Sequence, residues 1–457
     1  MPLRQVPNSN RQYHLVAFDK SGRERKDDPD GVMSDRVANT LQAGGVTDVF
    51  IVSHGWKGDI PAAIEQYDRW ISVMIDQADD VARMGAKFPN YRPLIIGLHW
   101  PSQPWGEEEV GGGASFAGTA SVAGSGEFDA PSRAPTVEEL IDRYTDRLSD
   151  GDAPDPELRE QIRRVVEAAR KQMAPPQLPP DVVEAYKRID ALANLGSGNL
   201  GSGPGEDRAP FDPQRAYRAT KPAVASFGGD GLMGGLLSPL RQLSFWKMKK
   251  RAQVFGESGA ASLLQRLQGV GGPDLRFHAA GHSFGCIVVS AMLRGGNSGP
   301  AGRAPIHSVS LLQGAMSHWS YCSHIEQSNN EPGYFRPVID QRRVRGPIVT
   351  TQSRFDKAVG FWYPKAAGVM GQVAFALGLG ELPKFGAVGT FGIQGADTNG
   401  VQLDMLRVGG RYGFRGGQIY NVNADQFIRN GGGFSGAHSD IAHPEVAHAV
   451  WEAVLAD

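Results

Sequence analysis

A single pentapeptide, GHSFG at Gly281–Gly285, places the strongest constraint on how this chain can fold. It is the one G-x-S-x-G match in the sequence. Leu275–Ala280 before it is short and half apolar, as a buried strand would be, and Cys286–Leu293 after it is an apolar run without a helix breaker. A strand that turns into a helix within one residue strains the central residue and crowds its neighbours, so only small flanking residues fit. The pattern predicts strand, sharp turn and helix, with the Ser283 hydroxyl at the helix N-terminus.

The second informative segment is Val49–Val52, whose β-branched and aromatic residues predict a buried strand that ends abruptly at a His-Gly pair. Together with the pentapeptide, this arrangement resembles the α/β-hydrolase superfamily, specifically its serine esterases and lipases. The resemblance implies that Ser283 is a nucleophile and that the backbone N–H groups of Trp56 and Phe284 form an oxyanion hole. For both segments the alternative is a chance glycine turn, since the chain contains 59 glycines.

The same resemblance places the catalytic acid in the loop after the second strand beyond the nucleophile. Ile306–Leu312 and Gly346–Ser353 are the strand candidates in that region, and Asp356 comes three residues after the second one. Asp340 is the weaker competitor because it precedes that strand. A solvated loop aspartate without a catalytic role is the alternative for Asp356.

Three histidines follow the last predicted strand, Gln418–Asn423, and each is a candidate for the general base. His443 immediately precedes a proline and therefore belongs to the cap of the final helix, while His448 lies inside that helix. A base must instead reach the nucleophile from a loop above the strand ends, where a glycine-rich segment delivers His438. The sequence therefore predicts His438, which gives the order Ser, Asp, His that α/β-hydrolases use.

The predicted fold is α/β, with the α/β-hydrolase arrangement of a mostly parallel central sheet flanked by helices. Residues 1–103 and 237–457 form the predicted core. Residues 104–236 are interpreted as one large insertion, because a stretch dominated by Gly, Ala and Ser is followed by charged helical patterns. By position this insertion resembles a cap or lid, partly flexible, over the active site. The alternative is a disordered or partner-binding appendage.

Composition excludes several classes of partner. The 47 basic and 49 acidic residues leave a formal charge of −2, which favours neither nucleic acid nor an anionic membrane. No run of about 18 apolar residues occurs, so no membrane span is predicted. The N-terminus lacks the apolar run of a secretory signal, and the two cysteines cannot build a disulfide framework. A cytoplasmic location is therefore expected, with signal-independent export left open. The oligomeric state is not predicted.

The expected function is hydrolysis of carboxylic esters, as an esterase or a lipase/phospholipase, through a Ser283–His438–Asp356 triad and an acyl-enzyme. Serine at the nucleophile position speaks against the dehalogenases and epoxide hydrolases of the superfamily, which use aspartate. An acyltransferase or a peptidase would use the same residues. A non-catalytic binding module that keeps the fold is the alternative from a different class.

The expected partner is a small-molecule or lipid ester. The uncharged, apolar segment Ala366–Gly380 is a hint of a hydrophobic acyl group, and the alternative that explains it better is an ordinary buried helix. No metal and no organic cofactor are expected. His318, Cys322 and His324 lie close together in the sequence, but a zinc site would need a second ligand cluster.

Overall fold

The computed structural model describes residues 3–27, 31–56, 60–102, 136–150, 155–172, 175–198, 200–218, 235–295, 304–359, 382–396, 400–431 and 436–456. Nine strands lie within these ranges: β1 (Leu3–Gln5), β2 (Gln12–Ala17), β3 (Asp48–Ser53), β4 (Pro93–His99), β5 (Arg276–His282), β6 (Ser308–Leu312), β7 (Ile348–Gln352), β8 (Val401–Asp404) and β9 (Ile419–Asn423).

All nine strands belong to one sheet, in the order β1-β2-β4-β3-β5-β6-β7-β9-β8. Only β1 pairs antiparallel with its neighbour, and every other pair is parallel. The predicted α/β class with a mostly parallel sheet flanked by helices is confirmed. β5 lies in the middle of the sheet between β3 and β6, so the segment before Ser283 has a strand on each side.

Buried strands have clearer apolar patterns than exposed strands, and this difference explains which strands the sequence predicts. All six residues of β3 are buried, as expected for a parallel strand covered on both faces, and its continuous apolar pattern was visible in the sequence. β1 and β8 are the two edge strands, and both are short and only partly buried. Edge strands of this kind carry little apolar pattern, which is why the sequence did not predict these two.

The helices within the described ranges include α1 (Met33–Gln42), α2 (Ile60–Ile75), α3 (Ala78–Lys87), α4 (Val137–Leu148), α5 (Pro156–Lys171), α6 (Pro180–Leu192), α7 (Ser238–Phe255), α8 (Ala261–Val270), α9 (Gly285–Arg294), α10 (Arg336–Asp340), α11 (Val388–Phe391) and α12 (Pro444–Leu455). Helices α1, α7, α8 and α9 cover one face of the sheet in one apolar cluster. Helices α2, α3 and α12 cover the other face in a second cluster. Apolar burial on both faces is the main stabilising contribution to such a sheet.

A helix over Leu240–Leu267 is expected from the sequence, and the structure has a longer helical segment with a π-helical turn inside it. This turn, Gly256–Ala260, joins α7 to α8. A Cβ added at Gly256 would lie 2.5 Å from the Cβ of Ala291 in α9. Glycine therefore lets this helical segment pass close to the helix that follows Ser283.

The helices of the predicted insertion are part of the same packing. Buried side chains of α4, α5 and α6, among them Tyr144, Val165 and Tyr186, join the apolar cluster of α7 and α9. Helices α4 and α6 contact α7, and α5 packs on α4 and α6. The described part of the insertion therefore adds a layer of helices outside α7. Its role as a cap stays a prediction.

In the described part of the chain, no helix combines the length and apolar character needed to cross a bilayer. The apolar segment Ala366–Gly380 lies outside the described residues.

Candidate active site

Three side chains in loops that follow β5, β7 and β9 form a hydrogen-bonded row. His438 Nε2 lies 2.7 Å from Ser283 Oγ, and His438 Nδ1 lies 2.7 Å from Asp356 Oδ2. All three side chains are buried. Because an ionised carboxylate only accepts hydrogen bonds, Nδ1 carries the ring proton, and Nε2 is left to accept the Ser283 O–H. The row therefore has the geometry that a nucleophile, a general base and an orienting acid need.

The turn at Ser283 is as tight as the pentapeptide predicts. Ser283 has a φ of 57°, in the left-handed region that residues with a side chain rarely adopt. A Cβ added at Gly281 would lie 2.4 Å from the Gly285 carbonyl oxygen, and one added at Gly285 would lie 2.2 Å from the Ser53 carbonyl oxygen. The expectation that only small residues fit on both sides of the serine is confirmed. The Ser283 N–H donates to the carbonyl of Leu312 at the end of β6, at 3.1 Å, which anchors the turn.

The two predicted oxyanion residues are neighbours beside Ser283. A Cβ added at Gly55 would lie 2.6 Å from the Cβ of Ser283, so the end of β3 runs directly past the nucleophile. The rings of Trp56 and Phe284 are stacked with their centroids 5.8 Å apart. Phe284 is also the N-cap residue of α9, where the helix dipole favours negative charge. Phe245 of α7 contacts both rings, at centroid distances of 6.0 and 5.2 Å.

The peptide unit between Gly55 and Trp56 is held by its carbonyl oxygen. His54 Nδ1 lies 2.7 Å from the Gly55 oxygen, and Ser102 Oγ donates to the same oxygen at 3.1 Å. His54 Nε2 accepts the Trp100 N–H at 3.3 Å, so the neutral ring carries its proton on Nδ1. In a planar trans peptide the C=O and the N–H point in opposite directions. Anchoring the Gly55 oxygen therefore also fixes the direction of the Trp56 N–H.

Tyr67 of α2 binds the end of β3 from the face of the sheet opposite to α7 and α9. Its hydroxyl accepts the His54 N–H at 2.8 Å and donates to the Leu98 carbonyl at 2.5 Å. Burial raises the pKa of Tyr67 well above its usual value, so the phenol remains a donor. Gly97 makes room for the ring, because a Cβ there would lie 2.9 Å from it. The strand end that leads into the His-Gly pair is thereby fixed to β4.

Asp356 accepts three hydrogen bonds. Its Oδ2 accepts from His438 and, at 2.9 Å, from Gln313 Nε2, while Oδ1 accepts the Val359 N–H at 3.1 Å. Gln313 is completely buried and its Oε1 accepts the Thr351 hydroxyl at 3.0 Å, which fixes the amide orientation. Three donors therefore hold the orientation of this buried carboxylate. Sequence reasoning missed Gln313, because a glutamine at the end of a strand carries no motif.

The loop that carries His438 is tied to the acid loop. The Ala437 N–H donates to the Phe355 carbonyl at 3.0 Å, and Gly436 forms an isolated β-bridge with Asp356. Gly436 has a φ of 55°, and a Cβ there would lie 2.5 Å from the Phe355 oxygen. The glycine in this loop therefore permits the close approach that brings His438 to Asp356.

The competing candidates lie elsewhere. Asp340 is an exposed residue of α10 paired with Arg336 at 2.8 Å. His443 Nε2 lies 2.8 Å from Asp440 Oδ1, and this hydrogen bond raises the pKa of His443 against a smaller effect of burial. His448 is buried within α12. None of these three residues is hydrogen-bonded to Ser283 among the contacts of the described residues.

Within the described residues, one group of side chains is close enough to hold a metal ion, namely Asp80, His448 and Glu452. Arg83 donates to Asp80 Oδ1 at 2.9 Å and to Glu452 Oε1 at 2.5 Å. His448 uses Nδ1 for Asp80 and Nε2 for the Gly410 carbonyl, at 2.7 and 2.8 Å. Arg83 therefore bridges the two carboxylates, and the group forms an ion-pair network.

The residues 318, 322 and 324, considered above for zinc, do not form such a group. His318 is buried between the rings of Trp319 and Phe391, at centroid distances of 4.4 and 5.5 Å. Cys322 Sγ donates to the backbone carbonyl of His324, whose own side chain is exposed.

A second row of the same residue types, Asp48, His278 and Ser308, lies at the opposite ends of the inner strands, where β3, β5 and β6 begin. His278 Nε2 lies 3.1 Å from Asp48 Oδ1, and His278 Nδ1 lies 2.8 Å from Ser308 Oγ. Arg276 donates to both carboxylate oxygens of Asp48, at 2.7 and 2.6 Å. Burial opposes ionisation of Asp48, but the hydrogen bonds from His278 and Arg276 outweigh it and lower the Asp48 pKa to about 2. Burial also lowers the pKa of His278.

No protein-family model, no curated protein and no solved structure matches this chain.

Proposed function

We propose that the chain is a serine hydrolase that cleaves carboxylic esters, with the architecture of the α/β-hydrolase superfamily. One observation carries the proposal: Ser283 has a left-handed backbone at a strand-to-helix turn and is hydrogen-bonded to His438, which is hydrogen-bonded to Asp356. The three residues follow β5, β7 and β9, which is the chain order that the resemblance implies. A binding module would not need a strained serine paired with a buried base and acid, so this geometry favours the enzyme.

The proposed reaction begins with attack of Ser283 Oγ on the ester carbonyl carbon, while His438 Nε2 takes the hydroxyl proton. The carbonyl oxygen becomes an oxyanion that the N–H groups of Trp56 and Phe284 bind. Asp356 stabilises the charged His438 ring that forms in this step. The C–O bond of the ester then breaks, and His438 gives the proton to the leaving alcohol. Water attacks the acyl-enzyme by the same route and releases the acid and free Ser283.

Aromatic rings beside the oxyanion residues favour an apolar acyl group. Trp56 and Phe245 are each partly exposed and pack around the buried ring of Phe284, the residue after the nucleophile. Partly exposed aromatic side chains next to a reacting centre are typical of sites that bind apolar ligands. Helices α4 and α6 contact α7, which carries Phe245, so the insertion is connected to this wall of the site through α7.

The test is a panel of aryl and glyceryl esters of increasing chain length, together with labelling by a fluorophosphonate probe. We expect the wild-type protein to hydrolyse at least one short or medium ester and to be labelled at Ser283. Ser283→Ala should abolish both activities. Ser308→Ala is the matched control, because Ser308 belongs to the second Asp–His–Ser row and should leave both activities in place. A wild-type protein that neither hydrolyses any ester nor reacts with the probe would favour the binding module instead.

The same assay tests the base. His438→Ala should lower the catalytic rate by about three orders of magnitude or more while the protein stays folded, since it removes the proton acceptor of the nucleophile. His443→Ala should leave most activity in place, because His443 pairs with Asp440. Near-normal turnover by a folded His438→Ala protein would contradict the assignment.

A further inference from the structure

His282, the residue immediately before the nucleophile, also makes hydrogen bonds that link it to the base. It is buried, and its Nε2 lies 2.8 Å from the backbone carbonyl oxygen of His438. Its Nδ1 lies 2.9 Å from the amide nitrogen of Gln66, a buried residue of α2. The rings of His282 and His438 have centroids 5.0 Å apart. The sequence pattern G-x-S-x-G assigns no role to the residue at this position.

The partners of His282 determine its protonation. A backbone carbonyl oxygen only accepts, so Nε2 must carry a proton and donate it to the His438 oxygen. In the neutral ring Nδ1 is then an acceptor, and it can bond to Gln66 only if Gln66 presents its NH2 group. The same NH2 group opposes a second proton on Nδ1, because two N–H groups would then face each other. Gln66 therefore supports the tautomer of His282 that donates to His438.

This arrangement links two consecutive residues of the turn to one residue of the base loop. Ser283 Oγ is bonded to the side chain of His438 at 2.7 Å, and His282 Nε2 is bonded to its backbone at 2.8 Å. The first contact changes during the reaction, because the proton moves between the two groups. The second contact does not take part in proton transfer and holds the backbone of the base at a constant distance from the nucleophile.

We propose that His282 is a positioning residue for the base, and that Gln66 supports it by fixing its tautomer. This inference rests on the proposed function, since a base needs positioning only if Ser283 is a nucleophile. A misplacement of the reacting groups by about 1 Å can lower a catalytic rate by about 100-fold. Loss of the His282 bond should therefore lower kcat and leave KM almost unchanged, because His282 acts on the base and not on the substrate.

The experiment compares two variants, each of which retains a polar group at one of the two ring-nitrogen positions of His282. The Nε2 position of the ring can be reached by the amide of His282→Gln, which can still donate to the His438 carbonyl. The amide of the shorter His282→Asn reaches only the Nδ1 position and can bond to Gln66 but not to His438. The kcat and KM of the best ester, the fluorophosphonate labelling rate of Ser283 and the thermal unfolding midpoint are measured for both variants and for wild type.

We expect His282→Asn to lower kcat and the labelling rate by about 10- to 100-fold with KM unchanged, and His282→Gln to restore both to within about threefold of wild type. A His282→Asn protein with wild-type kcat would overturn the inference. Equal losses in both variants that follow equal losses of thermal stability would also overturn it, because they would mean a purely structural role. If wild type itself neither hydrolyses esters nor reacts with the probe, the proposed function fails, and the positioning role fails with it.

Discussion

Replacement of Asp356 by asparagine tests the electrostatic part of the site, and the structure predicts how the amide will be oriented. Oδ2 faces two N–H donors, from His438 and Gln313, whereas Oδ1 faces one, the Val359 N–H. The asparagine oxygen should take the place of Oδ2, since the NH2 group there would face two donors. His438 would then keep its proton on Nδ1 and remain a base. The substitution removes the negative charge without changing the tautomer.

The size of the effect follows from the charge that is lost. In the transition state a positive His438 ring would lie roughly 4 Å from the Asp356 charge, which corresponds to about 4 kcal/mol at an effective dielectric constant of about 20. At about 1.4 kcal/mol per tenfold change in rate, kcat should fall by about 10³-fold. The amide NH2 would also face the Val359 N–H, so the variant should lose about 1–3 kcal/mol of folding stability.

The assay is ester turnover of Asp356→Asn at saturating substrate, with Asp340→Asn as the control. Asp340 is an exposed aspartate paired with Arg336, and its replacement should leave kcat unchanged. Unfolding in urea checks that the Asp356 variant is folded at the assay temperature. A loss of less than tenfold would refute the reasoning, because the carboxylate would then contribute little to stabilising the charged base. A loss caused by Asp340→Asn instead would transfer the acid role to that residue.

Two further predictions concern stability. Gly285→Ala should lower the free energy of unfolding in urea by at least about 2 kcal/mol, because the new Cβ would lie 2.2 Å from a carbonyl oxygen of β3. In the control Gly269→Ala, the new Cβ would have nothing within 4 Å, so the substitution should raise stability by about 0.5–1 kcal/mol. A larger loss of stability at Gly269 than at Gly285 would contradict the close contact between Gly285 and β3. Burial lowers the pKa of His448, but its hydrogen bonds to Asp80 and Gly410 outweigh burial, so the folded-state pKa is raised. The stability that His448 contributes is therefore complete below its unfolded-state pKa. This stability is lost as the pH rises through the higher folded-state pKa. Asp80→Asn should flatten that fall in a series of urea titrations across this pH range, and an unchanged pH dependence would refute the assignment.

Local sequence patterns are sufficient to predict two of the three residues in the row of Ser283, His438 and Asp356. The strained turn at Ser283 requires glycine on both sides, and a glycine-rich loop precedes His438, so local sequence predicts both residues. Asp356 needed more, since its assignment depended on counting strands after the turn. The strand count holds because β6 and β7 are buried inner strands that are rich in apolar or β-branched residues.

The supporting residues could not be found in this way. Gln313 and Asp356 are 43 positions apart, and His282 and His438 are 156 positions apart. Each contact exists only because the sheet places the end of one strand beside the end of another. Glutamine and histidine at these positions have no periodic or local signal, so their roles depend on tertiary geometry alone.

The two Asp–His–Ser rows of the sheet have the same residue types and similar hydrogen bonds, but their surroundings differ. The row at Asp48 has similar distances, but Arg276 neutralises its carboxylate, so a positive charge on His278 would gain little stabilisation. Ser308 is the first residue of β6, so it lies at the amino ends of the parallel strands. Ser283 instead lies where β5 ends and α9 begins, so that helix N-terminal amides and the end of β3 meet beside its hydroxyl. In the proposed mechanism, the direction of the parallel strands therefore decides which row can stabilise an oxyanion. In the described part of the chain, the acid of the row at their carboxyl ends pairs with a histidine and with no arginine or lysine, and that row also lies beside such donors.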